Sequence, residues 1–119
     1  MLNILLTTFD CKDALALSQF WADALGYEYR VKRENWVILT DPNGKGVGLG
    51  FQPVPEQKAV KNRVHVDILV QGESLETARE RLHGLGATTQ RFVDNGDEGN
   101  HYIMQDPEGN EFCLVPGGE

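Results

Sequence analysis

Apolar and polar residues alternate with a period of two through Arg63-Val64-His65-Val66-Asp67-Ile68-Leu69-Val70, which predicts a strand. Its β-branched positions Val64, Val66, Ile68 and Val70 share one face, and His65, Asp67 and Leu69 share the other. The first face suits packing under a helix. The second sets an imidazole and a carboxylate two residues apart on the same side. A face meant only for solvent more usually carries Lys, Glu or Thr, so His65 and Asp67 are candidates to line a cavity.

The same patterns extend in both directions. Ile4 to Phe9 predicts a strand, and Asp13 or Asp10 is placed to cap a helix that follows. Ala14, Leu17, Trp21 and Ala24 recur at helical spacing, and Gly26 ends that helix after Leu25. Tyr27–Arg33, Trp36–Thr40 and the glycine-rich Val47–Gln52 predict three more strands, with a type I turn at Asp41-Pro42-Asn43-Gly44. Glycine within a strand marks a bulge, a bent sheet or a place where a ligand comes close. Beyond Val70, Ser74 is a good N-cap, and Leu75, Ala78, Leu82 and Leu85 form one helical stripe. Strands are predicted at Thr88–Val93, His101–Gln105 and Glu111–Val115. Asp94–Asn100 reads as a polar loop, Asp106-Pro107-Glu108-Gly109 as a second turn, and Pro116–Glu119 as a frayed tail.

These elements repeat. Leu25-Gly26 returns as Leu85-Gly86 sixty positions on, and Asp41-Pro42 returns as Asp106-Pro107 sixty-five positions on. The acidic loop accounts for the difference. Each half reads strand–helix–strand–strand–strand. The fold class is therefore α+β: two βαβββ modules, at about 1–55 and 62–116, joined by a polar linker at about 56–61 within a single domain of 1–119. One helix covers one face of its sheet and leaves the other in need of a partner. Two halves side by side in one curved eight-stranded mixed sheet would enclose a cup, lined by the first and last strands of each half.

Composition narrows the partners. A net charge of −7 argues against nucleic acid and anionic membranes, which need a basic surface. Met1–Thr7 lacks the basic start and long apolar run of a signal peptide, and no stretch approaches a membrane span. Two cysteines, Cys11 and Cys113, make no disulfide framework. A cytoplasmic protein with reduced thiols is expected.

Several segments in order carry a family resemblance: Phe20-Trp21 with Leu25-Gly26-Tyr27, Phe51-Gln52-Pro53-Val54-Pro55-Glu56, Lys61-Asn62-Arg63-Val64-His65-Val66-Asp67, and Asp106-Pro107-Glu108-Gly109-Asn110-Glu111-Phe112. Over nearly the whole chain the pattern resembles the vicinal oxygen chelate superfamily of glyoxalases, bleomycin-resistance proteins and dioxygenases. It is most similar to the small glyoxalase-like domain proteins. The resemblance implies a small-molecule ligand, a homodimer, and, in the metal enzymes, one metal ligand from the first and last strand of each half. Carried over, these positions fall on Leu6 or Leu5, on Gln52, on His65 and on Cys113. Leucine cannot bind a metal, and Cys113 stands where the metal enzymes carry Glu. Glyoxalase I and extradiol chemistry are therefore disfavoured, and no cofactor is assigned. His65, Cys113, Gln52 and Glu111 remain weak candidates for a divalent metal such as zinc.

Two functions follow. In the first, a metal-poor cup binds or sequesters an organic ligand through Gln52, His65, Phe51, Trp36 and Cys113, with Tyr102 as a further aromatic wall. In the second, a lyase or isomerase moves a proton with His65 and either Asp67 or Glu111, with or without a divalent metal. Each residue also has a plainer role: Cys113 as a small buried hydrophobe, the aromatics as core, and Glu111 or Gln52 as a rim group.

Overall fold

The computed structural model describes residues 1–96 and 99–117, so part of the acidic loop and the last two residues of the tail lie outside the described residues. Residue contacts divide the chain into Met1–Lys58 and Ala59–Glu119, here modules one and two.

Module one runs β1 (Leu6–Cys11), α1 (Ala14–Leu25), β2 (Glu28–Arg33), β3 (Trp36–Thr40) and β4 (Gly48–Pro53). Its sheet has the order β1-β4-β3-β2, with β1 and β4 parallel and the other pairs antiparallel. Asp13 is the cap of α1: its Oδ1 accepts from the Ala16 N–H at 3.0 Å. Gly26 closes the helix at φ 70°, a left-handed conformation that favours glycine. The helix buries Leu17, Phe20 and Trp21. Trp21 meets Phe9 of β1 at 5.4 Å between ring centroids, and Phe9 stacks on Phe51 of β4 at 5.1 Å. Full burial of each such side chain contributes about 2–3 kcal/mol, so this aromatic stack holds helix to sheet.

Module two repeats the arrangement with β5 (Val66–Val70), α2 (Leu75–Leu85), β6 (Thr88–Val93), β7 (His101–Gln105) and β8 (Glu111–Pro116), in the sheet order β5-β8-β7-β6. Ser74 caps α2 by accepting from the Thr77 N–H at 3.0 Å, and Gly86 ends it at φ 116°. The helix stripe is narrower, with Ala78 and Leu82 buried. Beneath it lie Met104, Phe112 and Leu114, all nearly inaccessible.

The hydrogen-bonded ladders thus fall within the modules as two four-stranded mixed sheets. Three sequence expectations shift. β1 begins at Leu6 and runs to Cys11, so Ile4 and Leu5 precede it and are exposed. β5 begins at Val66, where pairing with Phe112 starts. Without a partner strand the alternation has no face to serve before that point, and Val64, expected under the helix, is 76% exposed. The tail is held further than expected: Pro116 belongs to β8, and the Gly117 N–H donates to Val70 O at 2.8 Å.

Candidate functional site

Strand register builds the site in module two. β5 and β8 run parallel with Asp67 opposite Cys113. Their flanking partners Phe112 and Leu114 point into the core under α2, so by alternation Asp67 and Cys113 project from the opposite face. His65 lies just ahead of β5, and its Nε2 comes to 3.3 Å from Asp67 Oδ1. That is an ion-pair distance when the imidazole is protonated. One ligand atom from each of His65, Asp67 and Cys113 lies within 4.8 Å of the others. His65 and Asp67 are accessible, whereas Cys113 is buried. Burial is the main force raising the Cys113 pKa, and the Asp67 charge and hydrogen bond add to it, against a smaller opposing effect of Lys61. The metal-free side chain is therefore a thiol, not a thiolate nucleophile.

Imidazole nitrogen, carboxylate oxygen and sulfur form a donor set that zinc accepts. Ligand atoms around one tetrahedral zinc lie about 3.5 Å apart, so a modest closing of the three would fit an ion and leave one position open. Zinc held there would act as a Lewis acid toward a ligand oxygen. Asp67 enters this group although the sequence suggested it as a cavity-lining and proton-transfer residue and not as a metal ligand. The clue was its two-residue spacing from His65, but its register opposite Cys113 is not a local property.

The other expected residues are placed as follows. Glu111 is buried, and its Oε1 accepts from the Asn62 N–H at 2.8 Å, tying the start of module two to β8. Gln52, in module one, is exposed and donates from Nε2 to Asp10 Oδ1 at 2.7 Å. Trp36 is half-buried on the sheet face away from α1, where a Cβ at Gly50 would stand 3.0 Å from its ring. The strand glycine at position 50 thus makes room for an indole. Phe51, expected on a cavity wall, is instead fully buried in the aromatic stack beneath α1. Tyr102 is likewise on the helix side, with its hydroxyl donating to Glu76 and the Arg79 guanidinium over its ring at 5.0 Å. In both cases strand alternation sends the ring to the apolar layer that the helix covers. At the β1 position, Leu6 offers no donor atom. Among the described residues, His65, Asp67 and Cys113 are the group of three that could hold a metal ion.

Comparison with known proteins agrees with this architecture. The model of the glyoxalase-like domain matches residues 7–115. A glyoxalase-related enzyme from Fulvimarina pelagi superposes with a TM-score of 0.75 at 15% identity, covering 98% of this chain and 88% of that one. A glyoxalase/bleomycin resistance protein/dioxygenase family enzyme from Burkholderia phytofirmans PsJN gives 0.74 at 16% identity, covering 98% and 100%. The fosfomycin resistance protein FosX from Mesorhizobium loti gives 0.75 at 14% identity, covering 99% and 94%. At these identities the likeness establishes the fold alone. A search of curated proteins found no match. With the family model spanning both modules and two βαβββ units in order, this chain belongs to the glyoxalase-like domain family.

Proposed function

We propose that this protein binds a small organic molecule on the module-two sheet face that carries His65, Asp67 and Cys113, its two modules acting as one glyoxalase-like domain. The observation behind this reading is the convergence of three polar or soft side chains within 4.8 Å, two of them open to solvent. His65 and Asp67 offer a donor and an acceptor to an oxygen-rich ligand, and the protonated Cys113 gives a compact, weakly polar floor. The missing donor at Leu6 favours binding over the four-ligand metal chemistry of the superfamily. Reduced thiols at Cys11 and Cys113 suit a cytoplasmic setting, and a homodimer is the expected assembly.

The test is a thermal-shift screen against vicinal diols, hydroxyketones and phenols. A ligand present at a hundred times its Kd should stabilise the wild type by about 2.7 kcal/mol. His65→Ala should abolish the shift. Equal shifts in both proteins would reject this site.

The 3.3 Å contact between His65 and Asp67 supports a second reading, a lyase or isomerase in which this pair moves a proton. Glu111 suits that role less, because one carboxylate oxygen is engaged by Asn62. Stoichiometric zinc in the purified protein, lost in His65→Ala, would favour this second reading.

A further inference from the structure

Module one contains a cavity of its own. It holds about 480 Å³, within the range of small-molecule sites, and all its lining residues precede β4 or begin it. Leu5, Leu6 and Ile38 supply apolar walls, and Gly46 and Gly48 complete the lining. Arg30 is the one cation on the wall.

A bulge places that arginine. In the β2–β3 ladder Tyr29 faces Leu39 and Val31 faces Ile38, so Arg30 has no register partner. A bulged residue leaves the ordinary alternation and re-aims its side chain. Module two has the same irregularity between Thr89 and Arg91, where the extra residue is Gln90. The bulge is common to both halves, but the charge belongs to module one. Among the described residues Arg30 makes no ion pair. Asp41 is the one carboxylate on the wall, and its charge is already engaged. Its Oδ1 accepts from the Asn43 N–H at 2.9 Å, and its Oδ2 accepts from the Lys45 and Gly46 N–H groups at 3.2 and 2.8 Å.

We propose that this cavity is an anion-anchored site for a small amphipathic carboxylate, whose apolar body lies against Leu6 and Ile38 and whose carboxylate meets the bulge-borne Arg30. The planar guanidinium fork matches a carboxylate in two parallel hydrogen bonds. With a net charge of −7 the chain as a whole repels anions, so a local cation inside an apolar wall is what would select one. Because Arg30 is exposed at the mouth, the contact is screened by salt and modest in strength. This goes beyond the module-two reading and does not depend on it.

The probes are 4-phenylbutyrate and its neutral amide, titrated into the full chain by two-dimensional NMR. Amide shifts at Gly46 and Gly48 report on the cavity, and those at Asp67 and Cys113 report on the module-two site. The acid should move the Gly46 and Gly48 signals and bind about two- to fivefold more tightly than the amide. Arg30→Gln should remove that preference, Arg30→Lys should retain part of it, and Arg33→Gln should leave it intact. Unchanged thermal melting in Arg30→Gln would show that folding is not the cause. Equal binding of acid and amide, no acid binding, or shifts confined to Asp67 and Cys113 would each overturn the proposal. None of these results bears on whether His65 holds a different ligand.

Discussion

Cys113 is held between opposing influences. Burial and the neighbouring Asp67 carboxylate keep its proton on, while Lys61 pulls weakly the other way. Removing the Asp67 charge in Asp67→Asn should lower the thiol pKa and speed alkylation of the metal-free protein by iodoacetamide at neutral pH, at least about threefold. An unchanged rate would mean that burial alone governs the thiol. Because the folded state holds this proton more tightly than the unfolded chain, the neutral thiol's contribution is present at neutral pH and is lost as pH rises through the raised folded pKa. Cys113→Ala should therefore lose less melting temperature than wild type on going to alkaline pH. At this scale the pattern His65-x-Asp67 was legible because alternation is local. The neighbourhood of Cys113 was not, since it depends on which residue of a distant strand stands opposite.

At the scale of elements, the two Asp-Pro turns look alike in sequence and differ in depth. In both, the Asp carbonyl accepts from the Gly N–H three residues on, at 3.0 Å for Gly44 and 2.8 Å for Gly109. Asp41 accepts three backbone N–H bonds, which hold its carboxyl below the usual range. That contribution is present at neutral pH and is lost as pH falls through the lowered pKa. Asp106 is buried and binds Glu108 N, Asn110 N and Asn110 Nδ2. Asp106→Ala would leave half-buried donors at Glu108 and Asn110 without their acceptor, so a loss of about 1–2 kcal/mol in urea unfolding is expected, against a smaller loss for Asp41→Ala. The reverse order would show that exposure does not decide the worth of these turns. Helix caps at Asp13 and Ser74 were readable in advance because a cap is a contact across three residues. The bulge at Arg30 was not, since a bulge is a relation between two strands.

For the whole molecule, four large apolar side chains, Met1, Leu2, Ile4 and Leu5, stand exposed within five residues at the start of the chain. The homodimer proposed above would cover these residues in the assembly. Sedimentation should show a dimer, and the double variant Ile4→Glu, Leu5→Glu should shift it to monomer with its circular dichroism retained. A monomeric wild type would remove the dimer from the proposal.

Taken alone, the order of residues determines the elements, their caps and turns, and the duplication of a βαβββ unit, because each is set by periodicity or by contacts a few residues apart. It also shows that Leu6 carries no metal donor. Tertiary structure alone decides that Asp67 faces Cys113, that Phe51 and Tyr102 lie under helices, and that Arg30 leaves its strand's alternation. Those outcomes depend on strand register, a pairing between segments far apart in the chain, and no local pattern specifies it.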